Sequence, residues 1–335
     1  MVGPKGDART GLLSDYASEE TCYGGTDSCM YSIFQSISLE NGDASLTSYS
    51  EGVELNSAKM SGIPAAIKLV KEADIVVLAL GTDKTIEHEG VDRKEITLPG
   101  LQGMFAKLVL KENKPTVLVL TNGGQVAFDN LIQEPQAIVE AFSPCSLGAK
   151  ALGALLFGRE NRWGRLPVTL YGAGVTRELD PANYDFTKPP GRGYRYYTGQ
   201  PLFRFGDGLT YTSFDLSCEA PSCSSFDGDC SSPYGDYSCT IRNTGNMTGD
   251  EVVFVFHQPT KEIRAVADHV LPLKHLVGFQ RVTVEKGKLA TVQFEVNEDM
   301  FQLSAKNGST VIYKGRHVIE FSTSTSTGVF FNVSL

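Results

Sequence analysis

Gly81-Thr-Asp-Lys-Thr-Ile-Glu-His-Glu-Gly-Val-Asp-Arg93, followed by Leu98-Pro99-Gly100, is the stretch on which both fold and chemistry turn. It comes directly after Asp74-Ile-Val-Val-Leu-Ala-Leu80, an apolar run that reads as a fully buried strand. Four acids, Asp83, Glu87, Glu89 and Asp92, therefore fall within ten positions of one another at the C-terminal end of that strand. In open α/β sheets this end is where ligands bind. Carboxylates gathered there suit proton transfer or sugar-hydroxyl binding rather than phosphate binding. A solvated acidic loop is the plain alternative.

Outward from this loop, residues 1–171 alternate helix and strand signals. Ile63, Ala66, Ile67 and Val70 form a helical stripe. Leu101, Phe105, Leu108 and Val109 give a second helical face, and Thr116–Leu120 and Ala137–Ala141 read as further buried strands. Ser146 is placed to cap a third helix, with Leu147, Ala151, Leu155 and Leu156 on its apolar face. Such alternation implies an α/β sandwich, a parallel-type sheet flanked by helices. Residues 172–208 are broken by Pro181, Pro189, Pro190, Gly191 and Gly193, yet carry Tyr194, Tyr196, Tyr197, Phe203 and Phe205. That connecting segment is expected to pack its aromatics on a domain surface. Residues 209–335 show only strand signals, at 238–243, 251–257, 289–296 and 317–321, separated by turn residues such as Asn243-Thr-Gly and Glu285-Lys-Gly. They read as a β-sandwich.

Four blocks in order resemble family 3 glycoside hydrolases, most closely the β-xylosidase branch. They are Ile86-Glu-His-Glu89 with Asp92-Arg93 and Leu98-Pro99-Gly100; Asn122-Gly-Gly-Gln-Val126; Gly158-Arg-Glu-Asn-Arg-Trp-Gly-Arg-Leu-Pro-Val-Thr169; and Pro190-Gly-Arg-Gly-Tyr-Arg-Tyr-Tyr-Thr-Gly199 running to Phe203-Arg-Phe-Gly-Asp-Gly-Leu-Thr-Tyr211. Ser143-Pro144-Cys145 departs from the Tyr-Pro-Gly that relatives usually show. The resemblance implies that 209–335 is a fibronectin type III-like domain. It also implies that the loop supplies the general acid/base of a retaining exo-β-glycosidase. Glu87 holds the family's position, immediately after Ile86, and Glu89 is the runner-up. Asp92 and Arg93 are candidates for sugar contact, with an ion pair shaping the loop as the alternative. The expected substrate is an oligosaccharide of the plant cell wall ending in a β-xylosyl, arabinosyl or glucosyl residue.

The family plan places the catalytic Asp nucleophile on an N-terminal (β/α)8 barrel. No barrel precedes this region, and Met1-Val-Gly-Pro4 reads like the tail of a strand. The expectation is thus the C-terminal portion of such an enzyme, inactive alone, with the barrel as its partner. The rival classes are a non-catalytic carbohydrate-binding or barrel-partner module and an inactive truncated product.

At 335 residues the chain is long enough for two cores. Its net charge of -9 leaves no basic stripe for nucleic acid. No apolar run approaches the ~20 residues that span a bilayer. No cofactor is implied, and the five histidines lack metal-ligand spacing. Gly123-Gly124 lacks the rest of a phosphate-binding motif and reads as a tight turn. Cys22 and Cys29 are expected to pair. Cys218, Cys223, Cys230 and Cys239 are spaced unlike a zinc site and are expected to form two disulfides, leaving Cys145 reduced. Disulfides imply an oxidising, secreted setting. The sequons at Asn246, Asn307 and Asn332 agree with it.

Overall fold

The computed structural model describes residues 1–13, 22, 27–180, 182–221, 234–324 and 328–335. The chain divides into two compact units, Met1–Glu160 with Leu170–Asp180, and Asn161–Thr169 with Pro181–Leu335. This division crosses the one read along the sequence, because 161–169 belongs to the second unit. Asn161 is buried there, accepting from Thr210 and from the backbone of Tyr211 at 2.8 and 3.0 Å.

The first unit contains α1 (Ile33–Glu40), α2 (Ile63–Glu72), β1 (Val76–Gly81), α3 (Gln102–Leu110), β2 (Thr116–Thr121), β3 (Ala137–Glu140) and α4 (Cys145–Leu156). Its strands form a parallel sheet in the order β1-β2-β3. Leu78, Ala79, Leu80, Leu118, Val119 and Leu120 are all fully buried. Consecutive strand residues point to opposite faces, so both faces of the sheet are covered, as a parallel sheet requires. Gly81 pairs with Thr121 and Leu120 with Glu140, so the three strands end level. The loops that follow them therefore share one edge.

The helices follow the expected positions, with one correction. Helix α4 begins at Cys145 rather than beyond Ser146, with Pro144 at the cap position and no side-chain cap. Leu147 is exposed, and the buried residues are Ala149, Leu152 and Gly153. The large apolar side chains mislead here because α4 crosses α1 at very short range, where small residues are selected. A Cβ on Gly153 would lie 2.1 Å from Ser36 Oγ. Gly→Ala in a helix ordinarily stabilises by about 1 kcal/mol. Gly153→Ala is expected to do the reverse, costing ~1–3 kcal/mol by overpacking. Urea unfolding checks this, and in a Ser36→Gly background the penalty should shrink, leaving only the 3.1 Å approach to the residue 36 carbonyl.

The second unit is antiparallel. Strands β4 (Phe214–Glu219), β5 (Gly235–Asn243) and β8 (Leu289–Val296) form one sheet in the order β4-β5-β8. Strands β6 (Gly249–Pro259), β7 (His275–Val284), β11 (Arg316–Ser322) and β12 (Val329–Ser334) form the other, in the order β12-β11-β6-β7. A short ladder joins β9 (Leu303–Ser304) to β10 (Thr310–Val311). The inner faces share one core built on Tyr237, Ile241, Val253, Val255, Phe294, Ile319 and Phe321. The region is not wholly β, because Lys261–Val266 is a short helix.

Strand β6 is buried on both faces. Its outer face, with Val252, Phe254 and Phe256, packs against Tyr194 and Phe205 of the connecting segment. Tyr194 and Phe205 stack at 4.3 Å. These aromatics hold the segment on the sandwich, as expected of them.

Cys22 pairs with Cys29 and Cys218 with Cys239, and Cys145 is free. Cys223 and Cys230 lie outside the described residues. Asn246, Asn307 and Asn332 are all exposed. Among the described residues no helix is long and apolar enough to cross a membrane.

Candidate active site

The acidic loop leaves β1 at an edge fixed by a buried amide. Gln102, at the start of α3, accepts from the Gly81 backbone at 2.9 Å and donates to the Gly81 and Leu55 carbonyls at 2.8 Å each. Both its amide nitrogen and its carbonyl oxygen are bonded inside the fold, which ties down the strand end. The chain then turns, with the Ile86 and Glu87 amides both donating to the Asp83 carbonyl, at 2.9 and 3.3 Å. Beyond it, His88 and Val91 exchange backbone hydrogen bonds at 3.1 and 2.9 Å. This makes a two-residue hairpin with Glu89-Gly90 at its tip. Gly90 has φ +83°, which a glycine supplies without strain.

The four acids of the loop have different surroundings. Asp83 accepts from the Thr85 amide and hydroxyl at 2.8 and 2.6 Å and lies 3.9 Å from the buried Lys5 ammonium. Burial brings that lysine down to about 8, with Asp83 opposing the shift. Glu87 is turned inward. Its carboxylate accepts from Arg93 Nε at 2.7 Å, from the Gly124 amide at 2.9 Å and from the Thr82 hydroxyl at 3.3 Å. Arg93 is nine-tenths buried and also donates to the Gln125 carbonyl at 2.7 Å. Glu89, at the tip, is exposed, and so is Asp92.

Two expectations are thereby sharpened. The Asp92-Arg93 pair does not itself form an ion pair, because Arg93 is engaged by Glu87. Gly123-Gly124 is more than a tight turn. A Cβ at Gly124 would lie 3.0 Å from Glu87 Oε2 and 3.1 Å from Arg93 Nη2, so the glycine lets its backbone amide reach the carboxylate. No sequence rule links position 124 to position 87. The only signal was that both follow strands that end level.

A fifth acid at this edge escaped the sequence reading. Glu140 ends β3 and accepts from the Phe142 amide at 3.0 Å, while its Oε2 is buried without a partner. Burial pushes its carboxyl up to about 7, against the opposing influence of Phe142 and Asn122. A carboxyl raised in the folded state favours the folded form when protonated. Its contribution is therefore fully present below the unfolded value, near 4.3, and is lost as pH rises toward 7. The expected loss is on the order of 3–4 kcal/mol. Glu140→Gln is expected to remove that slope, so that the variant is the more stable at pH 8 and the two converge near pH 4. Denaturant midpoints across pH measure it.

Against known proteins, residues 2–211 match the glycosyl hydrolase family 3 C-terminal domain, and residues 251–325 match a fibronectin type III-like domain. The chain belongs to glycosyl hydrolase family 3. A probable exo-1,4-β-xylosidase of Aspergillus fumigatus is 33% identical over 296 residues, 83% of this chain and 38% of that protein. Beta-D-xylosidase 3 of Arabidopsis thaliana is 30% identical over 292 residues, 77% of this chain and 37% of that protein. The solved structure of a family 3 exo-β-xylosidase in complex with a xylobiose aziridine activity-based probe superposes with a TM-score of 0.86 at 26% identity. It covers 100% of this chain and 44% of that one. A Listeria innocua β-glucosidase in complex with isofagomine shares the fold, with a TM-score of 0.77 at 22% identity over 99% of this chain and 45% of that one. The chain thus spans less than half the length of the relatives it matches. The parallel α/β domain followed by an antiparallel fibronectin type III-like sandwich is the architecture of this family's C-terminal part.

Proposed function

We propose that this chain supplies the general acid/base of a retaining exo-β-glycosidase acting on terminal β-xylosyl residues, and that Glu89 is the proton donor. The observation that carries the assignment is the contrast between Glu87 and Glu89. The Glu87 carboxylate is held by three groups, Arg93, Gly124 and Thr82. Both oxygens of that carboxylate are engaged inside the fold, Oε2 by Arg93 and Oε1 by Gly124 and Thr82. Glu87 is then a positioning residue, a strut between the hairpin and the Asn122-Gly-Gly turn. Glu89 stands exposed at the hairpin tip that the strut holds. This reverses the order suggested by position after Ile86.

A retaining mechanism needs two carboxyl groups about 5–5.5 Å apart, one as nucleophile and one as acid/base. The resemblance assigns the nucleophile to the family's (β/α)8 barrel, and the covalent step cannot form on the acid alone. Xylosyl specificity rests on the xylosidases among the relatives, and a plant cell-wall oligosaccharide is the substrate class they suggest. The two disulfides and three exposed sequons support an extracellular setting.

The test is an aryl β-xyloside assay. The 335-residue chain alone is expected to give no turnover, and the chain joined to a family 3 barrel to give robust turnover. Turnover by the chain alone that is abolished by a substitution within it would place the nucleophile here and overturn the division of labour. A joined protein that folds and remains inert would favour a non-catalytic module.

A further inference from the structure

The outer face of the four-stranded sheet carries a glutamate that is withdrawn from water. The register sets Glu320 of β11 beside Phe256 of β6 and Ser322 beside Phe254, so these four side chains share one face. It is the face that Tyr194 and Phe205 cover. Beneath that cover lies a cavity of about 410 Å³, within the range of small-molecule sites. Every residue lining it belongs to the second unit. Glu320 is only 8% exposed, and a carboxylate is rarely buried so far unless it is paired. Its Oε2 accepts from Gln258 and lies 3.6 Å from the Lys274 ammonium. Its Oε1 has no hydrogen-bond partner among the described residues. The Lys274 ammonium sits 3.9 Å over the Phe256 ring and makes no hydrogen bond among the described residues. Both side chains line the cavity and keep accessible surface, 11% for Glu320 and 33% for Lys274. An acceptor and a donor with bonding capacity to spare therefore stand side by side.

The chemistry of these groups selects a ligand. A carboxylate oxygen accepts a hydroxyl proton, and an ammonium beside it donates to a hydroxyl oxygen. Together they bracket neighbouring hydroxyls. The half-buried rings of Tyr194, Tyr197 and Phe205 wall the same cavity and suit the apolar C–H face of a sugar ring. The charged lining residues are Arg204, Asp207, Lys274 and Glu320, two of each sign, so the lining favours neither a sugar acid nor an amino sugar. Ser322 adds a hydroxyl. We propose that this cavity binds a neutral saccharide, with Glu320 Oε1 and Lys274 Nζ bracketing two of its hydroxyls. The proposal does not rest on the acid/base reading, and a chain with no catalytic role could carry it equally.

The experiment is calorimetric titration of the 335-residue chain with xylobiose, cellobiose and D-xylose as neutral sugars and D-glucuronate as the charged one. The expected result is saturable xylobiose binding that Glu320→Gln and Lys274→Met each weaken at least tenfold. Gln at 320 keeps an acceptor for Gln258, and Met at 274 keeps apolar contact with Phe256. Cellobiose binding in place of xylobiose, lost in the same variants, supports the site and reassigns the sugar. D-xylose binding as tight as the disaccharides supports the site and limits it to one ring. No saturable binding of any neutral sugar overturns the proposal. So does glucuronate binding tighter than that of every neutral sugar, or neutral-sugar binding that both variants retain while melting as the parent does. If the variants do not fold, the parent decides. The backbone amide resonances of Lys274 and Ser322 must shift as the sugar is added, and binding without those shifts overturns the assignment.

Discussion

Glu89→Ala, made in the chain joined to a family 3 barrel, is expected to lower turnover of an unactivated xylobioside by ~10²–10⁴-fold, the usual worth of a positioned general acid. An aryl xyloside with a good leaving group needs little protonation, so its first step should be almost unaffected. The second step then limits, because the same residue must activate water. Azide, which needs no general base, should restore turnover as a glycosyl azide. Glu87→Ala is expected to behave differently. It removes the partner of Arg93, which is nine-tenths buried, and the acceptor of the Gly124 amide, so the hairpin loses its strut. Its losses should fall on activated and unactivated substrates alike, without azide rescue. Gln at 87 keeps an acceptor for Gly124 and should retain more activity than Ala. Azide rescue of Glu87→Ala and not of Glu89→Ala would return the donor role to Glu87.

The strands of the parallel sheet were legible because their signal is local. Val76–Gly81 and Thr116–Thr121 are short, continuous apolar runs, and both are buried along nearly their whole length. The two-layer β-sandwich was legible for the same reason where alternation is strict, as in Leu289–Val296. Helix α4 was misjudged because its contact with α1 depends on how closely two helices approach, which no residue reports alone. The Ser143-Pro144-Cys145 departure shows a related limit. Cys145 adopts φ +58°, a geometry that favours glycine, and no residue-level signal in the sequence marks it. The site divides in the same way. That the loop carries the acids could be read from one stretch. Which acid faces inward could not, since it depends on Gly124 and Arg93 meeting Glu87 across two strand ends.

The Gly158–Thr169 block gives the largest expected effect on stability. Arg165 Nη2 lies 2.6 Å from Glu251 Oε1, with the two side chains 3% and 0% exposed. Glu251 also accepts from the Val252 amide at 2.8 Å, and Arg165 donates to the Gly164 carbonyl at 3.0 Å. Desolvating two such charges costs several kcal/mol, which their attraction barely recovers. The pair itself thus adds little, while either member alone is a buried, unneutralised ion. Arg165→Met and Glu251→Leu are each expected to cost about 3–5 kcal/mol. The double variant should recover most of that loss, because it buries neither charge. Trp163, the only tryptophan, lies two residues from Arg165 and packs edge-on against Tyr211 at 5.9 Å. Its fluorescence therefore reports unfolding of the second unit locally, and denaturant melts of the four proteins complete the cycle. Single variants within about 1 kcal/mol of the parent would mean that water reaches the pair. A double variant as unstable as the sum of the singles would mean that Arg165 and Glu251 act independently. Neighbouring Asp250 supplies the internal contrast. It is also buried, but it is bonded to Thr283 at 2.7 Å, to Arg281 at 2.8 Å and to Arg162 at 3.1 Å. Arg162 is well exposed, so removing it leaves the Asp250 carboxylate paired with Arg281 and strands no buried charge. Arg162→Met is therefore expected to cost less than Arg165→Met, although the two arginines sit three residues apart on the same segment.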